Sequence, residues 1–433
     1  MSERPGDRSR ALLERWKRRG GELEVLEKRG RSRSFESGAE GEISTTAVES
    51  GWAVRGGDRA GSFFAAGSGE LPLSDDWPRP SRQPLELPEP RAAGRFVPPP
   101  GLDAPLAGET EARALAEAVA RELARELPSA RLVHARFEEG SSETSIRSSR
   151  GIASTVRARL ATLRLEAVAG SHRVVAEASA RAAAEMKPLG LARRLADRLL
   201  ALGERHEPAG PRLLLAGPLV ARLVEALAPR LLGPDAEARL APLLGTAGRL
   251  GAEGIRIVDD GALAGGLLAA AADGEGVPCR AVELVADGRF VRPLVAWWES
   301  ARPEEASGCA RRAGYRDLPR RAPTHLYLEP DPSVSVAELV GEADVYLLDA
   351  EGGVALDSEG RFEVRVSGFA LAGGRASGGL GPRRLGGRLV DLLDACAGRA
   401  RDLGFVAGDG LFGAPSLLVT GGFELGPAGE EAS

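Results

Sequence analysis

The feature that most constrains the fold is a helix followed by a strand in the middle of the chain, within residues 217–261. Pro218 suits a first helical turn, because its missing N–H would have no partner there. The apolar residues that follow recur at three- and four-residue spacing, which places them on one helical face; they are Val220, Leu223, Val224, Leu227 and Leu231. Residues 255–258 then form a short apolar strand that runs into Asp259 and Asp260. A buried helix and a strand with carboxylates at its exit are a common frame for a hydrolytic site.

The length of the chain predicts two domains, since 433 residues exceed one ordinary hydrophobic core. We place the boundary in the Gly- and Pro-containing stretch 203–210, which gives an N-terminal domain 1–205 and a C-terminal domain 206–433. Ten prolines in residues 68–108 predict an extended connection within the first domain. The expected fold class is α+β: an N-terminal antiparallel sheet with helices, and a β-rich C-terminal domain with helices.

Local patterns predict individual elements. Short runs separated by glycines between residues 22 and 66 favour an antiparallel meander. Thr110 is the expected N-cap of a helix that ends near residue 127. Asp287-Gly288 between two apolar runs predicts a tight hairpin. Leucines at helical spacing predict a long helix over residues 383–403, with Cys396 as a core thiol.

Charge and cysteine content exclude several classes of protein. The formal net charge is −5, so the chain lacks the basic footprint of a nucleic-acid binder. Its three cysteines contain no CxxC pair, which fits a reducing compartment. The longest apolar run, 262–272, is too short to span a bilayer. We therefore expect a cytoplasmic protein with neither a nucleic-acid nor a membrane partner.

Several segments, mostly of the second half, carry a resemblance to a known family through their order and approximate spacing. They are residues 258–261, 273–278, 326–330 followed by 335–340, 351–353, 360–374, and 403–404 followed by 413–419, with a looser match at 51–55 and 61–64. In these segments the chain resembles the TldD/TldE (PmbA) metalloproteases, once described as modulators of DNA gyrase. The resemblance implies a proteolytic pair that encloses a chamber and admits unfolded or extended peptides.

The family's TldD-type subunit carries a His-Glu-x-x-x-His zinc helix and a late thiolate ligand, and its TldE-type subunit lacks them. In this chain the zinc helix should fall at 223–229, where no histidine occurs, and residues 404–419 contain no cysteine. The degenerate positions are Leu223, Val224, Glu225, Ala228 and Pro229. The resemblance therefore implies a TldE/PmbA-like, non-catalytic subunit without a metal or cofactor of its own, whose TldD-type partner supplies zinc.

The densest group of carboxylates at predicted turns is Asp259, Asp260, Asp273 and Glu275. These residues either line the chamber or touch the partner, or they only bond nearby backbone N–H groups in turns. Two other functions stay open at this point. One is a stand-alone peptide-binding or scaffold protein, and the other is a hydrolase whose metal site combines distant residues such as His325 and Asp273. A homodimer is also compatible with the sequence.

Overall fold

The computed structural model describes residues 7–73, 77–78, 80–82, 85–92, 94–203, 205–208, 210–245, 248–300 and 302–428. The fold is α+β, as predicted. The helices are α1 Asp7–Arg18, α2 Glu109–Glu126, α3 Pro188–Ala201, α4 Gly217–Leu231, α5 Ala236–Leu240, α6 Val336–Glu342 and α7 Leu389–Asp394.

The strands divide into a group before α3 and a group after it. The first group is β1 Glu22–Gly38, β2 Gly41–Asp58, β3 Gly61–Ser68, β4 Arg131–Ser148, β5 Ala153–Ala169 and β6 His172–Ala180. The second group is β7 Leu213–Leu215, β8 Ile257–Asp260, β9 Ala281–Ala286, β10 Arg289–Phe290, β11 Ala310–Arg311, β12 Arg320–Arg321, β13 His325–Leu328, β14 Val345–Glu351, β15 Arg361–Ala372, β16 Arg375–Gly379, β17 Arg383–Arg388, β18 Cys396–Arg399, β19 Gly404–Gly408, β20 Gly410–Ala414, β21 Leu417–Val419 and β22 Glu424–Pro427.

The N-terminal half is one antiparallel sheet in the order β3-β2-β1-β4-β5-β6. Its strands are longer than the sequence suggests, since β1 and β2 pair continuously over their whole lengths. The predicted antiparallel meander is confirmed in β1, β2 and β3, but its division into short runs separated by glycines was wrong. Glycines such as Gly30 lie inside a strand, opposite Glu49 and Ser142, and do not form turns.

Helices α2 and α3 pack together over this sheet and share its larger apolar core. Val119, Leu123 and Leu195 are fully buried there. Helix α2 begins at Glu109, so Thr110 lies in its first turn and the predicted N-cap was wrong. Glu111 accepts a hydrogen bond from the backbone N–H of Gly108 at 2.8 Å instead.

The C-terminal half encloses α4 between two sheets. One has the order β10-β9-β8-β13-β20-β19, and the other has the order β18-β21-β7-β14-β15-β17-β22, with β16 beside β15. Helix α4 contacts strands of both sheets, and its face with Leu223 and Leu227 belongs to the largest core of the chain. The helix runs to Leu231 and includes Pro229, which is exposed in the last turn.

The hairpin at Asp287-Gly288 is confirmed: the φ angles are 47° and 70°, as a type I′ turn requires. The long helix predicted over 383–403 was wrong. That stretch forms β17, the short helix α7 and β18, so Cys396 lies on a strand. No helix in the described ranges is long and apolar enough to cross a membrane.

Candidate functional site

Helix α4, which carries the positions that the resemblance marks as a degenerate zinc helix, lies against the late strand β19. Arg222, on α4, donates to the carboxylate of Glu225 at 2.7 Å and to the carbonyl oxygen of Ala407 at 3.1 Å. A Cβ on Gly408 would overlap Oε1 of Glu225, so the strand lies directly on this carboxylate. The helix and the late strand are thus neighbours in space, although almost two hundred residues separate them in the sequence.

The side chains at this contact do not fit a zinc ion. Zinc sites in proteins use imidazole, thiolate and carboxylate ligands in a tetrahedral set. Here Leu223, Val224 and Ala228 are buried among apolar side chains, and Pro229 is exposed. The one carboxylate, on Glu225, already pairs with a guanidinium. No step of metal-assisted hydrolysis can therefore be assigned to these residues.

A cleft of about 900 Å³ opens beside this contact, between β6 and α3 on one side and α4, β14 and β19 on the other. Its walls combine arginines with a smaller number of carboxylates. Arg164 on β5 pairs with Glu177 on the neighbouring strand β6, and Arg365 on β15 pairs with Glu351 on β14. The arginines are Arg164, Arg173, Arg194, Arg198, Arg222 and Arg365, and the carboxylates are Glu177, Asp349 and Glu351. This lining offers many N–H donors for carbonyl and carboxylate oxygens.

Arg198 connects the two halves of the chain at the base of the cleft. It lies on α3, donates to the carbonyl oxygen of Val175 on β6, and forms an ion pair with Asp349 on β14. Both members of this pair are largely buried. Because buried, paired side chains are held in one geometry, the base of the cleft is a fixed surface.

Asp259 and Asp260 are at the end of β8. Asp259 is 2% exposed and accepts the N–H of Thr324 at 2.8 Å. Burial raises the pKa of Asp259 to about 6. Asp260 is half-buried and accepts the N–H of Ala262 at 2.9 Å, which is turn chemistry.

Asp273 lies in the wall of a second, more apolar cleft of about 370 Å³. One of its carboxylate oxygens accepts the N–H groups of Glu275 and Val277, and the other accepts the N–H of Ala310 at 3.0 Å. Desolvation raises the pKa of Asp273, and the positive charge of Arg311 opposes this. The carboxylate thus organises the turn around it.

Glu275 belongs to a buried ion cluster that joins the two halves. Arg55, on β2, donates to both oxygens of Glu24 on β1, at 2.9 and 2.8 Å, and also pairs with Glu275. Arg312 pairs with Glu24 and donates to the carbonyl oxygen of Gly274 at 3.0 Å. Burial raises the pKa of Glu275 to about 7. Sequence reasoning missed this cluster, although Arg55 lies in one of the segments that carry the resemblance.

His325 is buried with both ring nitrogens engaged. Nδ1 donates to the carbonyl oxygen of Asp260 at 2.9 Å, and Nε2 accepts the N–H of Leu268 at 3.2 Å. Burial lowers its pKa, so the ring stays neutral at pH 7. A metal site that combines His325 with Asp273 would have to break the bonds of both. Among the described residues, no group of three or more His, Cys, Asp or Glu side chains is arranged to hold a metal ion.

Three solved structures share the fold of this chain. The fold resembles the crystal structure of TldE from Thermococcus kodakarensis, with a TM-score of 0.82 and 17% identity, over 97% of this chain and 100% of that one. A putative modulator of a DNA gyrase from Thermotoga maritima has a TM-score of 0.77 and 19% identity, over 96% and 98% of the two chains. A similar protein from Bacteroides thetaiotaomicron has a TM-score of 0.72 and 15% identity, over 98% and 99%. These likenesses establish the fold.

Residues 212–422 match the family model described as the PmbA/TldA metallopeptidase C-terminal domain. The C-terminal half of the chain therefore belongs to the TldD/TldE (PmbA) family, and the chain as a whole has the fold of the TldE structure. No sequence among the curated proteins matches it significantly.

Proposed function

We propose that this chain is the TldE/PmbA-like, non-catalytic subunit of a TldD-type zinc metalloprotease complex. The complex degrades or processes unfolded or extended peptides, and the partner subunit supplies the zinc. The single observation that supports this most is the contact of Arg222 with Glu225 and Ala407, between α4 and β19. This contact puts a guanidinium beside the helix on which the resemblance implies metal ligands in the family's catalytic subunit, and positive charge there disfavours a doubly charged metal ion.

The cleft beside this contact supports a role in holding peptide. An extended peptide exposes unpaired carbonyl oxygens, and the guanidinium groups around the cleft are donors that can satisfy them. The fixed Arg198–Asp349 pair at the base would keep the donors in place without a metal. In this proposal the subunit completes the chamber and positions the substrate, and the partner cleaves it.

The test is co-expression of this chain with a TldD-type protein from the same organism. We expect a stable complex on size exclusion that cleaves an unfolded peptide, with zinc present only in proportion to the partner. The chain purified alone should show neither stoichiometric zinc nor peptidase activity. One zinc bound per isolated chain would overturn the proposal. If the two proteins elute separately at micromolar concentration, the stand-alone peptide-binding or scaffold function replaces it.

A further inference from the structure

The outer edge of strand β2 is open over half its length. Strand β2 pairs with β1 from Gly41 to Gly57, but β3 covers only residues 51–58. Residues 41–49 therefore have a strand neighbour on one side alone within the described part of the chain. The open stretch is long enough for a complete strand of another chain, since strands in proteins average about five to six residues.

The direction of the backbone groups along this edge follows from the hairpin that precedes it. Gly38 and Gly41 flank a two-residue loop and face each other, so odd-numbered residues of β2 bond to β1. Ser50 confirms this alternation, because its carbonyl oxygen points away from β1 and accepts the N–H of Gly69 at 3.0 Å. The groups that point outward from the open edge are the N–H and C=O of Glu42, Ser44, Thr46 and Val48.

The middle of the open edge, residues 43–48, lacks the features that normally protect an edge strand, and charged side chains occur only towards its ends at Glu42 and Glu49. Natural edges carry charged side chains, proline, bulges or a covering loop, because a bare edge recruits other strands. Residues 43–48 contain no charge and no proline. Four of these six residues are β-branched, a side-chain type enriched in strands; they are Ile43, Thr45, Thr46 and Val48. Both faces are exposed along the whole stretch, with Ile43 at 67% and Val48 at 76%. Such an edge is suited to pairing with a strand of another chain.

We infer that this edge pairs with the same edge of a second copy of the chain, antiparallel across a two-fold axis at Thr45. A two-fold axis perpendicular to the sheet keeps each side chain on its own face, so Ser44 faces Thr46 of the second copy. In the same register Glu42 faces Val48, and Ile43 faces Ala47. Every outward backbone group of the open edge then gains a partner, and no two glutamates face each other.

The charges that flank the open edge are already balanced within each copy. Glu42 pairs with Arg113 at 2.5 Å, and Glu49 pairs with Lys28 at 2.9 Å. Like charges on the two copies therefore do not oppose association. Strand β6, which lines the large cleft, is at the opposite edge of the same sheet. The dimer would leave the cleft open, so this inference does not depend on the proposed function.

The test is the molar mass of the purified full-length chain, measured by light scattering during size exclusion. We expect about twice the chain mass of 45.2 kDa. Thr46→Pro removes an outward N–H that β1 does not use, so this variant should elute as a monomer with little change in thermal stability. Thr46→Val keeps the N–H and the strand preference, and it should remain dimeric.

A cysteine pair tests the register. Thr45→Cys places two thiols opposite each other at a non-hydrogen-bonded position, where Cβ atoms are about 4.5–5.5 Å apart. Mild oxidation should give a covalent dimer on a non-reducing gel, whereas Ser44→Cys and the unmodified chain should not. A monomeric unmodified chain, or a dimer that survives Thr46→Pro, overturns the inference. If that substitution instead abolishes binding of a TldD-type protein to a monomeric chain, the edge belongs to that partner and the second copy is excluded.

Discussion

The ion cluster between the two halves gives the sharpest test of what holds them together. Arg55 lies between the carboxylates of Glu24 and Glu275, and these carboxylate side chains are only 2% and 1% exposed. The substitution Arg55→Met keeps most of the side-chain volume and removes the charge. It leaves Glu275 buried without the guanidinium that pairs with it, while Glu24 keeps Arg312.

The expected loss of stability follows from the burial of these groups. Breaking a buried ion pair by removing one partner costs about 3–5 kcal/mol, because the other charge is left uncompensated. The unfolding entropy is about 2.1 cal/mol/K per residue, which is roughly 0.9 kcal/mol/K for the whole chain if it unfolds as one unit. The melting temperature should therefore fall by about 3–6 °C at pH 8. The loss should be smaller at pH 5, where Glu275 is protonated.

Calorimetry or circular dichroism on heating would measure this change. The matched control is Arg157→Met, which removes a 51% exposed arginine that pairs with Glu143 and Asp103. That change should leave the melting temperature nearly unchanged, because water screens an exposed ion pair. The double variant Arg55→Met/Glu275→Gln should regain most of the loss. Equal shifts for Arg55→Met and Arg157→Met, or a double variant no better than the single one, would refute the reasoning.

Three further substitutions test the fold and its pH dependence, with stability read from urea unfolding. The folded-state pKa of Glu275 is about 7 against an ordinary 4.5, so the folded chain binds the proton more tightly and loses stability as pH rises between these values. Glu275→Gln should remove that loss, so its free energy of unfolding should exceed that of the unmodified chain by up to about 3 kcal/mol at pH 8 and by nothing near pH 4.5. A constant difference at all pH values would contradict this. Gly288→Ala should cost more than about 1 kcal/mol, because φ is +70° and the new Cβ would overlap the carbonyl oxygen of Gly251; an unchanged midpoint would show that the turn relaxes. Leu227→Ala removes a side chain that is 1% exposed and should cost about 2–5 kcal/mol, and a loss below 1 kcal/mol would mean that α4 does not depend on its core face.

The elements that could be predicted from the sequence are those whose local pattern agrees with their tertiary surroundings. The apolar stripe of α4 is its buried face, and Pro218 does lie in the first turn. The hairpin at Asp287-Gly288 forms because only a few residue pairs accept two positive φ angles in succession. In both places the local preference and the packing favour the same conformation.

The predicted helix over 383–403 fails for the opposite reason. Its leucines have helical spacing, but Gly386 and Gly387 weaken a helix, and φ at Gly387 is 149°. Strand β17 then pairs with β15 on one side and β22 on the other, and these contacts are distant in sequence. Pairing with distant strands therefore overrides the local helical periodicity, and that pairing cannot be read from the stretch itself.

The part of the candidate site that could be predicted from the sequence is the absence of zinc ligands. The absence of imidazole and thiolate at 223–229 and 404–419 is visible in the sequence. The ion pair of Arg222 with Glu225 is a local, three-residue contact, but the bond from Arg222 to Ala407 needs the fold. The arginines of the large cleft do not stand out in the sequence, because arginine carries nearly all the positive charge of this chain.

The buried cluster around Arg55 is better explained by positioning than by stability. A buried ion pair often contributes no more than apolar side chains of the same volume, because desolvating the charges offsets their attraction. The raised pKa of Glu275 shows that burial outweighs its attraction to Arg55. Two directional bonds from Arg55 to Glu24 fix the guanidinium on the sheet. Glu275, which lies in the turn that Asp273 organises, pairs with this guanidinium and so ties the turn to the sheet. Apolar groups would allow that turn to slide on the sheet. The cluster instead fixes one position, and with it the wall of the second cleft that contains Asp273.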